Sequence, residues 1–334
     1  MNRPPEEFIL VREERLLAFA SACFGKAGLE EEQAALIARF LVNCDLRGVR
    51  SHGTATLDGY CRGFEQGSYN ARPEIRVVRE TSTAVVVDGD GGLGYLPMVR
   101  ATEAAIDRAK ELGLGMGLAR HIGHYGAAGH YTRMCTEAGC IGFSVQAYRD
   151  QGNARGGEKK PQIGYFGNPP ICFAIPGGEE PDVVLDGGTR VLPDDKIGPE
   201  YDDLLTRIPS AFYKSIGFTT VASLLGGGLT GFTLPEADAI RERWPGAGLG
   251  GMVLAIDIDS VVPEQVFREE TDRMARDVRE TYEPMPGTDR AVLPGAIEEE
   301  RMELHRSEGI RYGEREQGAA RSASERLGVA LPWD

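Results

Sequence analysis

The sequence predicts an α/β fold in which helices flank a sheet. Segments with apolar residues at helical spacing open and close the chain, and the alternating or β-branched runs that read as strands lie between Glu74 and Ile258. A length of 334 residues with 41% hydrophobic and 26% charged side chains suffices for one large domain or a few smaller ones. The 44 glycines, against an average usage of about 7%, imply many tight turns and close backbone approaches.

Residues 7 to 46 read as two helices. Leu10, Leu16, Leu17, Phe19 and Ala20 form the first apolar face, Gly25 and Gly28 break it, and Ala34, Ile37, Ala38 and Leu41 resume it. Ala55 to Gly67 reads as a short helix. Glu74–Arg79 and Ala84–Asp88 read as strands, and the glycine loop 89–94 leads into an amphipathic helix over 97–112. That loop does not match a dinucleotide fingerprint in its required context. A strand over 114–120, a helix over 127–138 and a strand over 141–147 follow. Residues 148–162 are polar and glycine-bearing, which predicts a mobile loop with cationic Arg149, Arg155, Lys159 and Lys160. Phe166 to Pro176 mixes apolar residues with Pro169-Pro170, Val183–Asp186 reads as a strand ending in an acid, and 187–213 reads as irregular. Phe218–Gly231 reads as a glycine-rich apolar helix, 252–258 as a strand, and 263–282, 294–309 and 319–327 as helices. No internal repeat is evident.

A formal net charge of -14 without a long basic run argues against nucleic acid as partner. No apolar run approaches the roughly 20 residues needed to span a bilayer, and the N-terminus lacks an apolar signal core, so a cytoplasmic location is expected. The six cysteines show no CxxC pair and are expected as buried free thiols.

The stretch Asp45-Leu-Arg-Gly-Val-Arg-Ser-His-Gly53 gathers an acid, two arginines, a serine and a histidine. Histidine titrates nearest neutrality, which makes His52 a candidate proton carrier; a histidine with a purely structural hydrogen bond is the alternative. His121, His124 and His130 do not match a zinc-binding pattern and have no interleaved carboxylate, so no metal is expected.

Four blocks together resemble the malate/L-lactate dehydrogenase family of NAD(P)-dependent oxidoreductases, which is unrelated to the Rossmann lactate dehydrogenases. They are Asp45–Gly53; Gly91–Gly94 with His124-Tyr-Gly-Ala-Ala-Gly129; Lys214 with Leu224–Gly231; and Leu293–Arg301 followed by Glu308-Gly-Ile310. The resemblance implies a large, mostly antiparallel mixed sheet flanked by helices. It implies a discontinuous helical domain (1–72 with 262–334), a cofactor-binding sheet domain (73–261), and a homodimer. It implies NAD or NADP as cofactor and a small-molecule substrate. His52 matches the catalytic proton donor, Ser51 its neighbour, and Asp186 a partner for the active-site base. His124, Tyr125, Gly126, Gln146, Asn168 and Lys214 fall at cofactor-side positions; Arg47, Arg50, Thr56 and Tyr60 fall at substrate-side positions. An ordinary ion pair is the alternative for Lys214 and Asp186.

The chain departs from the family pattern at the site. Thr56 stands where the family has an arginine that grips the substrate carboxylate, with Arg47, Arg50 or Arg62 as nearby replacements. Gln146-Ala147 replaces Thr-Asn, Gly167-Asn-Pro-Pro170 replaces Gly-Thr-Asn-Pro, and the segment 187–213 is shortened. The expected activity is reduction of a keto or cyclic imino group, or the reverse oxidation, with His52 as proton donor or acceptor. The alternatives are a non-redox acid/base reaction on the same scaffold (isomerase, lyase or cyclase) and a binding homologue without catalysis.

Overall fold

The fold is described from a computed structural model covering residues 4–148, 168–192, 199–286 and 288–334. The predicted mobile loop at 148–162 lies outside these residues, apart from the backbone of Tyr148.

Helices α1 (Glu13–Lys26) and α2 (Glu31–Leu46) form as the apolar spacing predicts, each with two glutamates in its first turn, where they favour the helix dipole. Gly28 takes a left-handed conformation between them. Two 3-10 turns, 50–52 and 54–56, then lead into α3 (Leu57–Glu65). The sheet begins with β2 (Arg76–Glu80) and β3 (Ala84–Asp88). Helix α4 (Tyr95–Leu112) carries the chain from β3 to its parallel neighbour β4 (Leu114–Ile122). Helix α5 (Gly129–Glu137) and strands β5 (Cys140–Tyr148), β6 (Pro170–Ile175), β7 (Val183–Gly188) and β8 (Leu249–Asp257) complete the sheet, in the order β2-β3-β4-β8-β5-β6-β7. Every pairing except β3–β4 is antiparallel. The large, mostly antiparallel mixed sheet flanked by helices is therefore present.

The structure corrects several element boundaries. Phe8–Val11 is a strand, β1, because it pairs with β9 (Ile310–Gly313) some three hundred residues away. No local pattern announces such a pairing. The expected irregular stretch 187–213 contains α6 (Pro199–Arg207), and α7 (Pro209–Ser223) begins well before the expected residue 218. Both open on a proline whose fixed φ suits a first helical position. A π-helical turn over 224–228 continues α7, and α8 (Pro235–Arg243) was not foreseen. Helices α9 (Glu264–Thr281), α10 (Ala296–Glu308) and α11 (Glu314–Leu327) close the chain.

One core joins the terminal helices to the sheet: Phe19, Phe24, Ile37, Leu41 and Leu57 are continuous with Tyr95, Tyr125, Tyr131 and Tyr312, all buried. This burial of apolar surface is the dominant stabilising term. The six cysteines are free and buried. Among the described residues no helix is long and apolar enough to cross a membrane.

Candidate active site

The loop after α2 is held from two sides. From within, the buried Asp45 carboxylate accepts hydrogen bonds from the Thr54 amide (2.9 Å) and hydroxyl (2.6 Å). Gly53 lies so close that a β-carbon there would sit 1.8 Å from Asp45 Oδ1. From the C-terminal elements, Tyr312 shares a 2.8 Å hydrogen bond with Thr54, and Glu316 grips Arg50 through two bonds of 2.8 and 2.7 Å. Glu316 also accepts the Gly313 amide and so caps α11. Paired charge-assisted bonds of this kind fix orientation as well as position.

The clamp presents Ser51 and His52. Ser51 Oγ lies 2.8 Å from His52 Nδ1, and His52 Nε2 makes no hydrogen bond among the described residues. The His52 ring stacks on His124, with centroids 5.4 Å apart. Tyr60 Oη lies 2.6 Å from His124 Nδ1, and the Gly126 amide donates to the same nitrogen at 3.3 Å. With donors on Nδ1, the neutral His124 ring carries its proton on Nε2. Burial, aided by the neighbouring His52, pushes His124 down to about 4, so it is a hydrogen-bond donor at neutral pH and not an acid. Burial also lowers His52 below the usual histidine range; Asp186 pulls it up and Arg315 pushes it down.

Asp186, two residues before the end of β7, lies near enough for its charge to be felt at His52. Its Oδ2 accepts the Gly129 amide at 2.8 Å, at the first residue of α5. Burial raises its carboxyl above the usual carboxylate range, against the pull of that amide, His52 and Arg133. No Lys214–Asp186 ion pair forms among the described residues. Lys214 is exposed on α7, without a hydrogen bond or ion pair there.

His52, Ser51, His124, Tyr60 and Asp186 thus converge, whereas other expected site residues serve the scaffold. Arg47 pairs with Glu299 (3.0 Å), Arg50 with Glu316, and Arg62 with Asp58 (2.9 Å), so all three proposed replacements for the family arginine are engaged by carboxylates. The Thr56 hydroxyl bonds the Gly53 carbonyl at 2.8 Å. Gln146 is buried, and its amide bridges the Tyr125 amide (3.1 Å) and the Gly123 carbonyl (3.2 Å), stapling the His124 loop. Buried Tyr125 adds a 3.3 Å bond to Ser144. Asn168 accepts the Arg190 amide at 2.9 Å. The three clustered histidines diverge: His121 meets Asp88, while His130 stacks on Phe40 beside Cys44. Tyr312, Glu316 and Arg315 escaped the sequence reading because they lie more than 250 positions from His52; the Gly309-Ile310 motif just before them was the one available signal.

The family model described as Malate/L-lactate dehydrogenase matches residues 11–201 and 200–318. Among curated proteins, the malate dehydrogenase of Pyrococcus horikoshii is 31% identical, covering 82% of this chain and 83% of that protein. The ureidoglycolate dehydrogenase (NAD(+)) of Escherichia coli is 26% identical, covering 85% and 87%. The solved malate dehydrogenase from Pyrococcus horikoshii OT3 superposes with a TM-score of 0.83 at 28% identity, covering 99% of each chain. A delta1-piperideine-2-carboxylate reductase from Pseudomonas syringae shares the fold, with a TM-score of 0.70 at 21% identity, covering 96% of this chain and 100% of that one.

Proposed function

Since the chain belongs to the malate/L-lactate dehydrogenase family, and is thereby an oxidoreductase of dehydrogenase type, we propose that it interconverts a small keto or cyclic imino compound with its hydroxy or amino counterpart, His52 carrying the proton. The convergence of Ser51, His52, His124 and Asp186 carries this reading. Ser51 holds the His52 ring through Nδ1, so Nε2 meets the oxygen or nitrogen that gains or loses the proton. Asp186 favours the imidazolium in the reductive direction, and burial favours the neutral base in the oxidative one. His124 Nε2 donates a hydrogen bond to the polarised atom.

A nicotinamide cofactor, when bound, supplies or accepts the hydride. The charges present suit it. Lys214, without an ion pair among the described residues, is a cation fit for a pyrophosphate, and Phe218, one turn further along α7, exposes an aromatic face. Ser215 anchors that helix to the end of β7 through the Thr189 carbonyl at 2.7 Å. Lys214 is therefore assigned to the cofactor side. Gln146 and Asn168 act there through the backbone segments they brace. A homodimer belongs to the same proposal: Tyr213, Leu224 and Leu229 expose apolar surface that a second copy would cover.

The test titrates NADH and NADPH against thermal stability and then assays 2-oxo acids and cyclic imines. Cofactor at a hundred times its dissociation constant should stabilise the fold by about 2.7 kcal/mol. No thermal shift with either cofactor up to millimolar concentration would overturn the redox reading in favour of the acid/base alternative. The same titrations choose between NAD and NADP.

A further inference from the structure

We infer that Arg315 is the substrate-gripping residue of this site and that it takes a carboxylate. The inference rests on the proposed reaction for the identity of the substrate. It starts from the charges around His52. Arg47 and Arg133 both bond Glu299, at 3.0 and 3.3 Å, and Arg50 is locked on Glu316. Arg315 is the exception. It is exposed in the first turn of α11 and makes no ion pair or hydrogen bond among the described residues.

Its placement is rigid. Three residues before it, Tyr312 bonds Thr54, two positions after His52; one residue after it, Glu316 bonds Arg50, two positions before His52. The turn bearing Arg315 is thus pinned to both flanks of the proton carrier, and its charge is felt at the His52 ring. The segment Thr54–Thr56 packs directly on α11, so a cation at 315 and one at 56 would serve neighbouring space. A guanidinium that has no counter-ion among the described residues, and whose charge is felt at a reacting imidazole, is complementary to an anion. Its planar fork of donors matches a carboxylate bidentately. A 2-oxo or 2-imino acid with its carboxylate on Arg315 turns the adjacent reducible carbon toward His52 and His124.

The test uses the full chain, with and without NADH or NADPH, and two probes: oxamate, which carries a carboxylate, and ethyl oxamate, which does not. Arg315→Met should weaken oxamate about 10- to 100-fold and leave the ester unchanged. Arg315→Lys should recover part of the loss, and Thr56→Arg in the Arg315→Met background should recover oxamate binding, which a structural role for Arg315 would not allow. By NMR, the His52 titration should move upward in Arg315→Met, because a nearby positive charge has been removed. Wild-type protein that binds no oxamate, or an Arg315→Met variant that binds it as wild type does, overturns the assignment. Oxamate binding that depends on Arg315, without nicotinamide-dependent turnover of any 2-oxo acid, would retain Arg315 and remove the redox reading.

Discussion

The loop from Asp45 to Thr56 and the edge formed by β7 and α7, assigned above to the two sides of one proposed reaction, are built in opposite ways. In the loop, nearly every polar group is already satisfied by the protein: Asp45 by Thr54, Thr54 by Tyr312, Arg50 by Glu316, Ser51 by His52. On the outer face of α7 and the turn that follows it the side chains are left open: Lys214 makes no ion pair among the described residues, and Tyr213, Phe218 and Leu224 are exposed. Proton transfer demands an imidazole held within a fraction of an ångström, and closed hydrogen-bond networks provide that rigidity. A surface that receives a large ligand or a second subunit must keep its bonding capacity for that partner.

The contrast can be broken most severely at its centre. His52→Ala should lower turnover by about 10²- to 10⁴-fold, the usual contribution of a positioned acid/base, while the thermal midpoint stays near wild type. Loss of fold in that variant would make His52 a structural histidine. Next in size is Asp45. Burial raises its carboxyl from 3.8 to about 7, so the folded state holds the proton more tightly than the unfolded chain. Stability from this group is full below about pH 4 and is lost as pH rises through about 7. Asp45→Asn should abolish that loss, a difference of up to about 4 kcal/mol between pH 4 and 7 in urea melts compared with wild type. Parallel pH profiles would deny Asp45 its role.

A pair of glycine substitutions gives the smallest and most direct comparison. Gly53→Ala drives a methyl into Asp45, whose hydrogen bonds prevent retreat, and should destabilise by about 1–3 kcal/mol. Gly217→Ala, in α7, meets nothing within 4 Å and should stabilise by about 0.5–1 kcal/mol through helix propensity. Equal effects at the two positions would erase the distinction between a closed site and an open edge.

Much of the fold was legible because its elements are periodic. The faces of α1, α2 and α4 repeat at helical spacing, and the runs in β3 and β8 are apolar enough to declare strands. Elements whose identity comes from a distant partner were not legible. Phe8–Val11 is a strand through β9, and α6, only nine residues long, and the start of α7 lie in a stretch whose acids and prolines read as irregular. At the candidate site, His52, Ser51, His124 and Asp186 were named from motif blocks, and the fold places His52 against Ser51 and His124. Arg50 was misjudged because a guanidinium in a motif looks the same whether it awaits a ligand or is spent on Glu316.

By itself the sequence determined most element types and the family blocks, and it nominated His52 as the proton carrier proposed above, since these depend on residue chemistry and short-range spacing. Tertiary structure alone decided which charges are free. The ion pairs of Arg47 and Arg50 join residues more than 250 positions apart, and the charge of Arg315 is felt at His52 only because β9 and α11 fold back onto the loop. Whether a cation is available to a substrate depends on where its counter-charge lies in space, and separation along the chain carries no information about that.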